Sequence, residues 1–170
     1  FNDIAPVSGV MVAPVFLMAT SVLAARDFSE LLAQAKAKPG ALRWATSGIA
    51  TVGHLMLEQV KAKASVDITH VPYKGGGQAV ADAIGGQFEL YTANPGPAVN
   101  AQVQAGKLRL LAVAAPQRLA DFPAVPTFIE LNQPGANLMS TFGLFAPRKV
   151  TEAVVRRIHA EVVDALARPE

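Results

Sequence analysis

The sequence contains no cysteine and has few aromatic or charged residues. The absence of cysteine excludes disulfides, thiolate metal sites and cysteine nucleophiles. Only 16% of the residues are charged, and 15 basic against 13 acidic residues leave a formal net charge of +2. No stretch concentrates lysine or arginine as strongly as binding to a phosphate backbone requires. We therefore do not expect nucleic acid to be a partner.

The sequence predicts no membrane span. Residues 10–25 form the most apolar stretch, but Pro14, Thr20 and Ser21 interrupt it, and it is short for a span. Asp3 precedes this stretch, where a signal peptide carries positive charge. If the protein is exported, its signal therefore lies upstream of residue 1 or has been removed.

The chain is long enough to bury one core, or one core and part of a second. Hydrophobic residues make up 51% of its 170 residues, which is typical of an α/β protein whose sheet is covered on both faces. Predicted strands at 10–17, 42–46, 67–71, 87–92 and 108–114 alternate with predicted helices that begin at Asp27, after Thr51, at Gln78 and at Ala98. This alternation predicts a parallel sheet with right-handed crossovers.

The alternation ends after Pro116, where proline and loop residues dominate up to Gln133. We therefore expect a boundary at this point. A further strand is predicted at 138–146, and a helix begins near Thr151. Its apolar stripe, which needs a partner surface, consists of Val154, Val155, Ile158, Val162 and Leu166.

The turn within residues 44–58 is the strongest candidate for a binding site. It joins a predicted strand to a helix, and Thr46, Ser47 and Thr51 carry hydroxyl groups there. Gly48 allows the backbone to approach a ligand closely, and the following helix directs free N–H groups at the turn. These features favour an anion, although simple capping of the helix explains the same residues equally well.

Two further turns follow predicted strands, one at residues 72–77 and the other at 93–97. The carboxyl ends of parallel strands lie at one edge of a sheet, where ligands bind in such folds. The turns are rich in hydrogen-bond donors and poor in acidic residues, so a carboxylate is the expected ligand. Tyr73, Lys74 and Gly75 belong to the first of these turns, and the alternative is that Tyr73 and Lys74 only form its rim.

Catalytic, metal and cofactor sites are not predicted. Ser47 lacks the glycine two positions earlier that a nucleophile elbow requires, and pairing of His54 with Glu58 is common structural chemistry. His54, His70 and His159 lack the spacing of helical metal ligands. The glycines after Lys74 match neither the phosphate-loop nor the dinucleotide fingerprint, so we expect no cofactor.

Several ordered motifs resemble the Bug proteins, the periplasmic solute-binding components of tripartite tricarboxylate transporters. The similarity runs over essentially all 170 residues. The motifs are residues 38–48 (KPGALRWATSG), His54-Leu55, residues 71–75 (VPYKG), Asp82, Gly85-Gly86-Gln87, residues 106–113 (GKLRLLAV), Arg118, residues 123–127 (PAVPT), Glu130 and residues 143–147 (GLFAP).

This resemblance implies a periplasmic-binding-protein-like α/β fold of the type II, Venus-flytrap class, with the parallel-rich sheet of the second lobe and part of the first lobe. Residues 1–8 then form a crossover from a first-lobe segment outside this sequence, residues 9–116 the second ligand-binding lobe, and residues 117–170 the return crossover and part of the first lobe. The resemblance also implies that the chain is incomplete and that the apolar stripe of the last helix packs on the first lobe. The expected protein is periplasmic, binds a di- or tricarboxylate or a related small organic acid, and delivers it to membrane permease subunits.

The family's second-lobe contacts correspond here to Thr46, Ser47, Gly48, Thr51 and His54, and less closely to Tyr73, Lys74 and Gly75. Two positions depart from the family pattern: Ala50 stands where a second glycine is frequent, and residues 148–151 replace the usual opening of the last helix. Two other functions stay open, namely the effector domain of a transcription regulator and a hydrolase acting through Ser47.

Overall fold

The computed structural model describes residues 2–168, which divide into two compact units. Unit 1 contains the chain up to Ala13 and from Ser140 onward, and unit 2 is Pro14–Met139. The strands are β1 (Ile4–Ala13), β2 (Val15–Ala19), β3 (Arg43–Thr46), β4 (Thr69–Pro72), β5 (Leu90–Ala93), β6 (Arg109–Ala114) and β7 (Ser140–Pro147). The helices are α1 (Phe28–Ala37), α2 (Val52–Ala64), α3 (Gly76–Ile84), α4 (Pro97–Gln104) and α5 (Glu152–Ala167).

Unit 1 is a two-stranded antiparallel sheet with one helix. β1 pairs with β7, and α5 packs along β1. Thr151 precedes α5 as the N-cap residue, as predicted. No residue of α5 is buried, and the exposed apolar residues on it are Val154, Ile158, Val163 and Leu166.

Unit 2 is built on a five-stranded sheet in the order β4-β3-β5-β2-β6. β3 is parallel to β4 and β5, whereas β2 is antiparallel to its neighbours β5 and β6. Four strands therefore share one direction. The sheet is therefore parallel-rich, and only the predicted parallel direction of β2 is wrong, because an apolar run shows that a strand is buried but not in which direction it enters the sheet.

Both faces of this sheet are covered by helices, and side chains alternate between them. Trp44 faces α1 and α2 and packs with Leu31 and Met56. Its neighbour Ala45 lies in the core on the other face, which α3 and α4 close with Ala79 and Val99. This alternation is the period-2 pattern of a strand buried on both sides.

The prediction of one buried strand at 10–17 is also wrong. β1 is largely exposed, the chain breaks at Pro14, and all five residues of β2 are buried. Proline lacks the N–H group that a continuous ladder needs, so it separates a strand of unit 1 from a strand of unit 2. The other predicted strands and helices match observed elements within a few residues at each end.

Residues 117–139 belong to unit 2. Thr127 bridges to Val113 beside β6, Phe128 is fully buried, and a 3-10 turn at Pro134–Ala136 packs against α2. The structural divisions after Ala13 and Met139 thus differ from the lobe boundaries expected near Gly9 and Pro116, and the assignment of lobes stays a prediction. Within residues 2–168, no helix is long and apolar enough to cross a membrane.

Candidate ligand-binding site

Three helices of unit 2 begin at the same edge of the sheet. The parallel strands β3, β4 and β5 end there and lead into α2, α3 and α4. Thr51, the N-cap residue of α2, makes no side-chain hydrogen bond to that helix. The N-cap residues of α3 and α4 are Gly75 and Gly96, which have no side chain that could cap the helix. At the opposite edge, where antiparallel β2 leads to α1, the Asp27 carboxylate accepts the Glu30 N–H at 2.8 Å. The candidate edge therefore carries three uncapped helix N-termini, which favour a negative charge.

The turn between β3 and α2 is held by its own hydrogen bonds. The Thr51 hydroxyl donates to the Gly48 carbonyl at 2.8 Å instead of capping α2. Gly48 has a φ of +151°, and a Cβ at this position would lie 3.3 Å from the Tyr73 carbonyl oxygen. A side chain at residue 48 would therefore be strained and crowded, which explains the glycine.

Thr46 lies under the turn and is fully buried. Its hydroxyl donates to the Gly48 carbonyl at 3.1 Å, receives the Gly48 N–H at 3.3 Å and lies 2.8 Å from Nε2 of His70. This hydroxyl is thus engaged inside the protein. Thr46 shapes the turn from below, and a direct contact of its hydroxyl with a ligand stays a prediction.

The turns after β3 and β4 are joined to each other. The Tyr73 N–H donates to the Thr46 carbonyl at 3.0 Å, and the Gly75 N–H donates to the Ser47 carbonyl at 3.1 Å. The structure therefore brings the predicted residues of both turns together. The same bond also occupies the Gly75 amide, which leaves the other N–H groups at the start of α3 as the donors of this turn.

The side chain of Tyr73 contacts other residues of unit 2. Its hydroxyl donates to Asp82 at 2.6 Å, and its ring packs edge-on against Phe88 at 5.7 Å. Burial and the hydrogen bond to the Asp82 carboxylate raise the pKa of Tyr73 to about 12. Lys74 is exposed beside it and forms no ion pair within residues 2–168.

Ser47 is the exposed hydroxyl of the turn. In the part of the chain that the structure describes, its side chain makes no hydrogen bond, so this hydroxyl is available to a ligand. Neither His54 nor His70 bonds to it, since their nitrogens are directed at Ala50, Glu58 and Thr46. A serine nucleophile needs an adjacent base, and neither of these histidines is bonded to Ser47 as one.

His54 occupies the first turn of α2. It stacks on His70, a residue that the sequence did not predict as part of the site. The ring centroids are 4.0 Å apart and the planes 8° apart. The sequence places His70 two residues before the turn at residues 72–77, and this was the available indication of a role at the site. The pairing of β4 with β3 brings it next to Trp44 in the sheet. No group of three or more metal-binding side chains occurs within residues 2–168.

Known proteins resemble this chain over its whole length. The model of the tripartite tricarboxylate transporter family receptor matches residues 1–170. BugT of Bordetella pertussis is 33% identical over 165 residues, covering 97% of this chain and 50% of BugT. The chain thus spans about half the length of the curated relatives it matches.

Two solved structures with organic acids also superpose on the chain. A protein from R. palustris with adipate is 30% identical, with a TM-score of 0.87, and the match covers 98% of this chain and 56% of that one. MatC from Rhodopseudomonas palustris with bound malate is 28% identical, with a TM-score of 0.87 over 97% of this chain and 56% of that one. These findings confirm the predicted resemblance and the periplasmic-binding-protein-like α/β fold. The chain belongs to the tripartite tricarboxylate transporter family of receptors, the family of the Bug proteins.

Proposed function

We propose that this chain supplies one wall of the binding cleft of a non-enzymatic solute-binding protein. One carboxylate group of a small organic acid binds at the turn of residues 47–54. In this proposal unit 2 corresponds to the second lobe of a two-lobed protein, and ligand favours the closed state through its higher affinity for it. The protein acts in the periplasm and passes its ligand to membrane permease subunits of a tripartite tricarboxylate transporter.

The observation that carries the proposal is the set of uncapped helix N-termini at one sheet edge. The first N–H groups of α2 have no acceptor within the helix, and the exposed hydroxyl of Ser47 belongs to the turn that precedes them. Each hydrogen bond to a charged group contributes about 1.5–3 kcal/mol. Three to five such bonds reach the roughly 8 kcal/mol of a micromolar complex without an arginine.

Two relatives support the class of ligand. Adipate and malate are the acids bound in the structures described above, and both carry two carboxylates. A ligand with two such groups can place one at unit 2 and present the other to the opposite lobe.

Calorimetry tests the proposal on the full-length protein with malate, adipate and citrate. We expect at least one acid to bind with micromolar affinity and Ser47→Ala to weaken it by about tenfold, because one hydrogen bond to a charge is lost. Ser29→Ala is the matched control, since Ser29 is an exposed serine on α1, which begins at the opposite edge.

The proposal is wrong if no organic acid or amide binds. An ester or amide substrate that is hydrolysed by the wild-type protein, but not by Ser47→Ala, would instead support the hydrolase alternative.

A further inference from the structure

Two imidazole rings lie stacked directly beneath the candidate turn. His54 is on α2 and His70 is on β4, and both are half-buried. Their centroids are 4.0 Å apart and their planes are nearly parallel. No other aromatic pair of residues 2–168 is stacked in this way.

Each ring is bonded to a different part of the turn. Nδ1 of His54 accepts the Ala50 N–H at 3.0 Å. Nε2 of His70 lies 2.8 Å from the Thr46 hydroxyl, which in turn holds both the N–H and the carbonyl of Gly48. The backbone from Gly48 to Ala50 is therefore tethered to the pair at two points.

The tether at Ala50 requires a particular protonation state. Nδ1 of His54 accepts a hydrogen bond only while it carries no proton. Ala50 has a φ of +61°, a left-handed conformation that is unfavourable for alanine. The bond to His54 thus stabilises a backbone conformation that is itself unfavourable for alanine.

The charged groups around the pair lie on α2. Oε1 of Glu58 is 3.8 Å from Nε2 of His54, but the same oxygen is 3.1 Å from the Lys61 ammonium. Glu58 is therefore shared with a cation and only partly compensates a charge on the imidazoles. Burial, together with the neighbouring His54 and Lys61, lowers the pKa of His70 and outweighs the opposing effect of Glu58.

We infer that the His54–His70 stack is a clamp that holds the turn in its binding conformation while both rings are neutral and releases it when His54 is protonated. His70 is a positioning residue in this arrangement, acting through Thr46 and His54. The inference rests on the proposed function where it concerns affinity: carboxylate binding weakens when His54 gains a proton, because the turn is then released. A simple attraction between an imidazolium and a carboxylate would have the opposite effect.

The first test needs no ligand. NMR of the full-length protein between pH 8 and pH 5 follows the His54 and His70 rings and the Ala50 amide. We expect the chemical shift of the Ala50 amide to change together with the shifts of the His54 ring. We also expect the protection of this amide against hydrogen exchange, corrected for pH, to fall about tenfold when His54 is protonated, because one hydrogen bond is lost. An Ala50 amide that ignores the titration overturns the clamp.

Variants separate the clamp from general acid effects. His54→Asn places a side-chain oxygen near Ala50 that accepts its N–H at every pH, so the fall in protection should disappear. His70→Phe keeps an aromatic ring in the stack but cannot bond to Thr46, and we expect it to lower protection of the Gly48 amide. His159→Asn, at the third histidine, which pairs with Ser8 in unit 1, should retain the wild-type pH profile.

The second test measures malate and adipate affinity by calorimetry over the same pH range. We expect the Kd to rise about tenfold from pH 7.5 to pH 5, and to rise less than about twofold in His54→Asn. Affinity that is constant or tightens on acidification overturns the inference. If neither acid binds at any pH, the proposed ligand class is wrong, and the Ala50 measurement still decides whether the clamp exists.

Discussion

Gly53 on α2 lies so close to Thr92 on β5 that a Cβ at residue 53 would clash with the Thr92 hydroxyl oxygen. That hydroxyl receives the indole N–H of Trp44 at 3.3 Å and lies 3.4 Å from the Ala45 carbonyl. Trp44 is itself fully buried. The close contact therefore seats the first turn of α2, which carries the candidate site, directly on the sheet.

Gly53→Ala should destabilise the protein and displace the start of α2. Because Thr92 is held by the sheet, the added methyl forces a backbone shift, and we expect the free energy of unfolding to fall by about 1–3 kcal/mol. Urea titration measures this. Gly77→Ala in α3 is the control, since no atom lies within 4 Å of its Cβ position, and it should be neutral or stabilise by up to about 1 kcal/mol. Equal effects of the two substitutions would contradict the packing argument.

Ala50→Gly should raise the free energy of unfolding. The left-handed φ of +61° at Ala50 is unfavourable by about 1–2 kcal/mol for a residue with a Cβ, and the greater freedom of glycine in the unfolded chain offsets part of the gain. We expect a net increase of up to about 1 kcal/mol in urea unfolding. Ala64→Gly, in the regular last turn of α2, should instead lower stability by about 1 kcal/mol. If both variants lowered the free energy of unfolding, Ala50 would not be strained.

Ionisation of the two tyrosines should be absent near pH 10 in the folded protein. Burial, followed by the Asp82 hydrogen bond, raises the pKa of Tyr73 to about 12, and burial raises the pKa of Tyr91. Ultraviolet titration should show both rings ionising near pH 10 only after unfolding. Asp82→Asn should lower the pKa of Tyr73 in part, because burial remains. A step of half amplitude near pH 10 in the native protein would contradict the burial of one ring.

The Arg43–Glu89 pair should stabilise unit 2 most above about pH 5. The Arg43 guanidinium lies 2.7 Å from Glu89, and the Arg43 backbone N–H also donates to it at 2.8 Å. Burial opposes ionisation of Glu89, but these hydrogen bonds outweigh it and leave the pKa of Glu89 below its usual value. Since the folded pKa is the lower one, the contribution is complete above the unfolded pKa of about 4.3 and is lost as pH falls through the folded value.

Glu89→Gln tests this pair. We expect it to lower the free energy of unfolding by about 1–2 kcal/mol at pH 7, a range reduced because Arg43 is 45% exposed. The difference from wild type should shrink as pH falls from 5 towards 3. Asp121→Asn, at an exposed carboxylate of the same unit without an ion pair in residues 2–168, should have little effect at either pH. A difference that does not depend on pH would contradict the role of the charge.

Sequence reasoning located the candidate turns well because their signals are local. Small and polar residues directly after an apolar run, followed by a helical period, identify a strand–helix junction at Thr46 to Val52 without knowledge of the rest of the fold. The sequence could not show which hydroxyl groups are available to a ligand. Thr46 and Tyr73 look as available in the sequence as Ser47, yet their hydroxyls bond to His70, Gly48 and Asp82.

The sequence by itself determined the order of the strands and helices, the positions of the turns and the family, because periodicity, turn residues and ordered motifs are readable along the chain. The tertiary structure alone decided the antiparallel direction of β2 and the stacking of His54 on His70. Strand direction and pairing depend on contacts between distant residues, which no local pattern records. The turn at Ser47 is thus predictable from its neighbours in sequence, while the histidine pair beneath it exists only because β4 lies beside β3.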